Sequence, residues 1–194
     1  MTAGTKKRRP KRVWTHHREG KAVFLSKVRQ RLLNDVGPYF ATIRTVKRRT
    51  GRGVGFWALA RMIFPIVEGV ATVIYRSGAR DKPPVRLLKQ VGFEYPNLVW
   101  EMYRHTLMHN EEMASAAYRG RTIAWGIGVG NGHSWPKGRL HIDAAKLYHD
   151  LLAFLAREIA ASKASNAHVW IKKSFRFNNA FRRATRDEAL RLGA

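Results

Sequence analysis

The sequence predicts a mainly α-helical bundle with a β-hairpin insertion and basic extensions at both ends. Three observations carry that expectation. Apolar residues return at helical spacing in segments separated by glycine and proline signals. One stretch, about 121–142, alternates weakly instead and is rich in glycine. The two ends combine dense Lys and Arg with little apolar periodicity at the N-terminus and interleaved phenylalanines at the C-terminus.

The elements follow in order. Residues 1–20 contain KKRRPKR and read as a flexible basic arm. From Lys21 to about Val36, residues Phe24, Leu25, Val28, Leu32, Leu33 and Val36 mark one helix face, and Gly37-Pro38 is expected to end that helix. Thr45 to Gly55 reads as a basic connector punctuated by glycine. A long apolar helix is expected from about Phe56 to Arg76, stopped by Ser77-Gly78. The segment Val54 to Tyr75 is long and apolar enough to suit a membrane span, but Arg61 and Glu68 inside it each cost about 2.5–3.5 kcal/mol or somewhat less near a bilayer centre. Pro65 and Gly69 interrupt it as well, so it reads as a buried, kinked core helix and no membrane partner is expected.

Lys82-Pro83-Pro84 is a turn from which Pro84 can open a short helix ending at Gly92. A fourth helix is expected from a cap at Asn97 to about Ala117. The hairpin follows at about 121–142. Asp143 then reads as the N-cap of a helix over 144–162, with Leu147, Leu151, Phe154, Leu155 and Ile159 on one face. His168 to Ile171 is a candidate short strand, and a last helix is expected over about 174–192. The domain reading is thus an arm at 1–20, a helical domain at 21–162 and a basic, aromatic extension at 163–194.

Charge points to the partner. Lys and Arg total 37 against 13 acids, a formal net charge of +24 in 194 residues. Self-repulsion on that scale works against a compact chain and favours a polyanion, with nucleic acid the first candidate and an anionic membrane surface the second. No cysteine is present, which excludes disulfides, thiolate metal sites and a cysteine nucleophile. It also fits a reducing cytosol, so a cytoplasmic location is expected. The N-terminus has no apolar signal-peptide core. Gly126, Gly128, Gly130 and Gly132 are spaced GxGxGxG, which matches neither the dinucleotide fingerprint nor a P-loop, and a flexible hairpin is the expected use. No G-x-S-x-G serine motif occurs.

The stretch most suited to chemistry is Tyr103-Arg104-His105-Thr106-Leu107-Met108-His109. Arginine presents a fork of donors that fits phosphate oxygens, and histidine moves protons near neutral pH. RNA carries its own nucleophile, the 2′-hydroxyl. Cleavage then needs a base, an acid and stabilisation of the phosphate charge. His109 can take or return the proton, Arg104 can clamp the non-bridging oxygens, and His105 can assist either. The plainer reading is a surface arginine with a capping or core histidine. A second R-x4-H, Arg12 to His17, lies in the basic arm. His105 and His109 also share a helix face as metal ligands can, but Thr106 stands where a zinc hydrolase needs Glu, so no metal and no cofactor are expected.

Arg104, the polar His105 and His109, preceded and followed by amphipathic helices, resemble the signature of the HEPN superfamily of small helical domains. The resemblance covers about 21–162 and is specific only at the motif. It implies a metal-independent endoribonuclease whose site is built across a homodimer, in a toxin, phage-defence or RNA-processing setting, with an antitoxin protein as a further partner. Some members are inactive, so a non-catalytic nucleic-acid-binding protein is the alternative it leaves open. On a single helix Arg104 and His109 stand roughly 140° apart, which also favours a site shared between two copies. RNA contacts are expected from Lys6, Lys7, Arg8, Arg9, Lys11 and Arg12 in the arm and from Arg176, Arg182, Arg183 and Arg186 near the C-terminus. Phe175, Phe177 and Phe181 among these arginines can stack on bases or dock on the core.

Overall fold

A computed structural model of the chain describes residues 14–50, 55–75, 81–103, 115–118, 121–130, 132–136, 138–175 and 191. The described structure is mainly helical with two small sheets. The chain divides into two compact units, Gly20–Val169 and a second one drawn from both chain ends.

In the larger unit α1 (Lys21–Arg31) runs through a π-helical segment (Leu32–Val36) directly into α2 (Gly37–Thr50). The expected break at Gly37-Pro38 is therefore absent, and residues 45–50 of the expected connector are helix. Pro38 has no N–H, and its ring crowds the carbonyl four residues back. The turn before it is widened to match, with the Gly37 N–H reaching five residues back to the Leu32 carbonyl. A π segment is one of the few ways a helix carries such a residue without stopping.

Helix α3 (Phe56–Ile74) matches its apolar run. It alone among the described helices is long and apolar enough to cross a membrane. Leu59, Ile63, Phe64, Val67, Val70 and Ala71 are buried against the rest of the unit, while Arg61, Pro65, Glu68, Gly69 and Thr72 face outward. That division into a packed and a polar face is what a core helix needs. Helix α4 (Pro83–Gln90) has prolines in its first turn, as expected of a proline-opened helix. It closes where the Gly92 N–H donates to the Lys89 carbonyl (3.1 Å) and the Phe93 N–H to the Leu88 carbonyl (3.0 Å). Helix α5 (Pro96–Met102) is capped at Tyr95 rather than Asn97, because Pro96 can itself occupy the first turn.

Residues 115–117, expected at the end of a helix, instead belong to β2 (Ser115–Tyr118). With β3 (Arg121–Gly128) and β4 (Arg139–Asp143) it forms a sheet of order β2-β3-β4. The hairpin expected at 121–142 is corrected here. The antiparallel partner of β3 is β2, with Ser115 opposite Ala124 and Tyr118 opposite Arg121. β4 runs parallel to β3, from Ala124 opposite Arg139 to Gly128 opposite Asp143. Burial explains the pairing. Trp125 and Ile127 register with Leu140 and Ile142, and all four are buried. The intervening chain doubles back to make this possible, and Ser134 and His141 exchange two backbone hydrogen bonds of 3.1 and 2.8 Å.

Helix α6 (Ala144–Ala164) starts at the expected cap, Asp143, and packs along α1. Lys21 and Glu158 join these two helices at 2.6 Å. Leu25, Leu32, Phe64, Leu87, Leu147 and Leu151 belong to one continuous core. The remaining described strands, β1 (Trp14–Gly20) and β5 (His168–Phe175), pair as a two-stranded ribbon. The expected strand at 168–171 thus extends to Phe175, and residues 14–20 of the expected arm are strand. On this ribbon Trp170 remains 67% exposed.

Candidate functional site

Arg104, His105 and His109 lie outside the described residues. So do Lys6, Lys7, Arg8, Arg9, Lys11, Arg12, Arg176, Arg182, Arg183 and Arg186. The described chain reaches the residue just before the motif. Tyr103 is only 1% exposed, keeps helical backbone angles, and stacks on Phe64 with ring centroids 4.3 Å apart. Burial, reinforced by the negative charge of Glu68, pushes its phenol up to about 12, so it stays neutral. Arg104 therefore follows a side chain fixed in the core. The second R-x4-H histidine, His17, stands 3.7 Å from Glu19 on β1, which gives it a local partner.

The described residues do present cations that the sequence reading passed over. In α2 the buried Phe40 and Ile43 define the inner face. Arg44, Arg48 and Arg49 are exposed on the outside, Arg44 and Arg48 one helical turn apart. Arg44 also lies 5.6 Å from the centre of the Phe40 ring. Among the described residues no acid pairs with Arg44, Arg48 or Arg49. Glu158, Glu101 and Asp150 pair instead with Lys21, Lys82 and Lys146. The spacing of Phe40, Ile43 and Arg44 was available in the sequence, but the glycines further on made the segment look like a connector.

A second cluster surrounds the turn from β4 into α6. The Asp143 side chain is buried and accepts four backbone hydrogen bonds. Its Oδ1 takes the N–H groups of Ala145 (2.9 Å) and Lys146 (3.0 Å), which caps α6. Its Oδ2 takes those of Gly130 (2.9 Å) and Gly132 (2.8 Å). Both glycines have positive φ, +96° and +68°, which turns their N–H groups inward at little steric cost. Burial pushes the Asp143 carboxyl up, but the four N–H groups outweigh burial and leave its pKa below the ordinary carboxylate value. The glycine-rich stretch is thus an anion cradle, and the anion it holds is internal. Lys47 of α2 adds a hydrogen bond from its ammonium to the Val129 carbonyl, fastening the same loop.

His133 completes the cluster. Its Nδ1 accepts the Asp143 backbone N–H at 3.1 Å, and its ring packs on Phe93 with centroids 4.2 Å apart. Burial, with the Lys146 charge adding to it, lowers its pKa to about 4, so the imidazole is neutral near pH 7. With Nδ1 accepting, the remaining proton sits on Nε2, which is buried without a partner among the described residues. The Nε2 of His141 is likewise buried without a partner among the described residues, its ring lying over Gly128 of β3. Among the described residues no group of three or more His, Asp or Glu side chains is arranged to hold a metal ion. The arrangement can anchor a loop and hold a neutral imidazole in a dry, aromatic setting.

Comparison of the chain with family models, curated proteins and solved structures finds no match.

Proposed function

We propose that this chain is an RNA-binding protein and that Arg104 and His109 cleave the bound strand without a metal. The observation that supports binding is charge left over after the fold is built. Of the 37 Lys and Arg residues facing 13 acids, Arg44, Arg48 and Arg49 stand in the open with no acid partner among the described residues. Phosphates are the natural partner for such a row, because each one neutralised releases condensed counterions. The basic residues at the two chain ends, Lys6 to Arg12 and Arg176 to Arg186, extend the same preference.

Cleavage rests on the motif alone and on its resemblance to HEPN domains. In that reading His109 takes the proton of the 2′-hydroxyl, Arg104 holds the phosphate oxygens, and a second copy of the chain completes the site in a twofold dimer. The protein would act in the cytoplasm, with an antitoxin-like protein as its regulator. Purified chain incubated with single-stranded RNA in EDTA tests this directly. Products ending in 2′,3′-cyclic phosphate, lost in folded His109→Ala while binding persists, are expected. Binding without cleavage in the wild type would leave a non-catalytic RNA-binding protein. Cleavage that persists in His109→Ala would remove His109 from the mechanism.

A further inference from the structure

We propose that the cleft bounded by Tyr95, Trp135 and Arg139 takes one unpaired base of a single-stranded RNA, with the Arg139 guanidinium on a neighbouring phosphate. This inference rests on the RNA-binding reading above and names the form of RNA that the larger unit selects.

The cleft lies between the start of α5 and the β3–β4 layer and holds about 190 Å³. That is well under the roughly 300–1,000 Å³ of a pocket that buries a drug-sized ligand, so it suits a single ring system rather than a whole nucleotide. Leu98, Ile123 and Leu140 line its apolar part. Tyr95 and Trp135 supply two aromatic rings nearly perpendicular to each other, at 83° and 5.7 Å between centroids. Tyr95 is 44% exposed although nothing about its place at the helix cap requires an aromatic residue.

The aromatic wall is held from behind. Trp135 stacks at 6.0 Å and 23° on His133, which in turn packs on Phe93 and accepts the Asp143 N–H. A surface already fixed in place loses little side-chain freedom when a ligand arrives. Backbone groups along the cleft are already in use. The Arg139 N–H donates to the Pro136 carbonyl (2.9 Å) and the Gly138 carbonyl accepts the Ala124 N–H (2.9 Å). These two backbone groups are therefore not free to read base identity, and the aromatic rings offer stacking, which any base can supply. Arg139 borders the cleft, is exposed and has no acid partner among the described residues; its guanidinium lies by Gly126, on the sheet face opposite Leu140, so the phosphate that it can meet lies outside the cleft. A base inside a duplex is stacked on its neighbours and cannot enter; an unpaired one can.

The test compares three RNA probes of equal length against the full-length protein by fluorescence anisotropy at several salt concentrations. They are a single strand, the same strand with abasic residues, and the duplex. The single strand is expected to bind about fivefold to a hundredfold more tightly than the abasic strand, the range that one stacked base provides. Tyr95→Ala, at an exposed position, should remove much of that ratio. Trp135→Phe should keep most of it, and Trp135→Ala should lose it if the variant folds. Equal binding of the normal and abasic strands, or a ratio unmoved by Tyr95→Ala, overturns the cleft as a base site. If all three probes bind equally with steep salt dependence, the RNA-binding reading stands while the cleft inference falls. If none binds, both fall.

Discussion

Asp143 and the arginine row of α2 are opposite solutions to the placing of charge. Asp143 is a buried anion whose lone pairs are met by four backbone N–H groups of its own chain. Arg44, Arg48 and Arg49 are exposed cations with no anion assigned to them among the described residues. Charge satisfied inside the molecule holds the fold, since losing one partner strands the others away from water. Charge left open contributes little to stability and is free to meet something else. The contrast separates residues that build the structure from residues that await a ligand, and each side of it can be broken separately.

The largest effect is expected at Asp143. Asp143→Ala removes the α6 cap and leaves the Gly130 and Gly132 N–H groups without an acceptor. A loss on the order of 3 kcal/mol should follow, read from urea unfolding curves. Asp143→Asn should cost less, because the amide oxygen can still cap the helix while its NH₂ opposes the loop donors. Equal losses for both would mean that the α6 cap contributes nothing, and a neutral Asp143→Asn would mean that the glycine loop contributes nothing.

Acid should weaken the same cluster in a defined window. His133 titrates near 4 in the folded protein against 6.5 when free. As pH falls, the unfolded chain therefore takes up a proton first, and stability present above about 6.5 is lost progressively down to about 4. The depressed carboxyl of Asp143 adds a further loss below its ordinary 3.8. Urea midpoints measured between pH 7 and pH 4 should fall, and His133→Gln should flatten that decline. A midpoint unchanged across this range would show that His133 takes its proton as readily in the fold as outside it.

Gly128→Ala sharpens the picture at the next scale. A methyl group there would come within 2.7 Å of His141 Cε1, so the ring must move. Overpacking of this kind costs about 1–3 kcal/mol, and part of the loss should be recovered in the Gly128→Ala/His141→Ala double variant. An additive double variant would mean that the ring yields freely.

The smallest effect on stability is expected on the arginine side. Replacing Arg44, Arg48 and Arg49 together by Ala should move unfolding by no more than about 0.5 kcal/mol. The slope of log affinity for single-stranded RNA against log salt should flatten by up to about 2, roughly 0.7 for each phosphate no longer neutralised. An unchanged slope would remove α2 from the RNA-binding surface.

Much of the helical framework was legible from spacing, because α3 and α6 each carry their own apolar face and α6 its own cap. The π segment was not. Gly37-Pro38 is a strong local stop, and only packing of Leu32, Val36 and Phe40 on the core makes a continuous, locally widened helix worth keeping. The parallel β3–β4 pair was hidden for a similar reason. Glycine between two short alternating runs signals a hairpin locally, whereas the pairing was decided by which residues had to be buried together.

The sequence by itself determined the excess of positive charge, the absence of thiol chemistry, the Asp143 cap and the Arg104–His109 spacing. These depend on residue identity and on neighbours within a turn or two of the same helix. Tertiary structure decided that the glycine-rich stretch would hold the Asp143 carboxylate and that His133 would be neutral. It also decided that Tyr95, Trp135 and Arg139 would border one cleft. Those outcomes depend on burial and on pairs of residues distant in the chain, and no local pattern records where a folded backbone will bring them together.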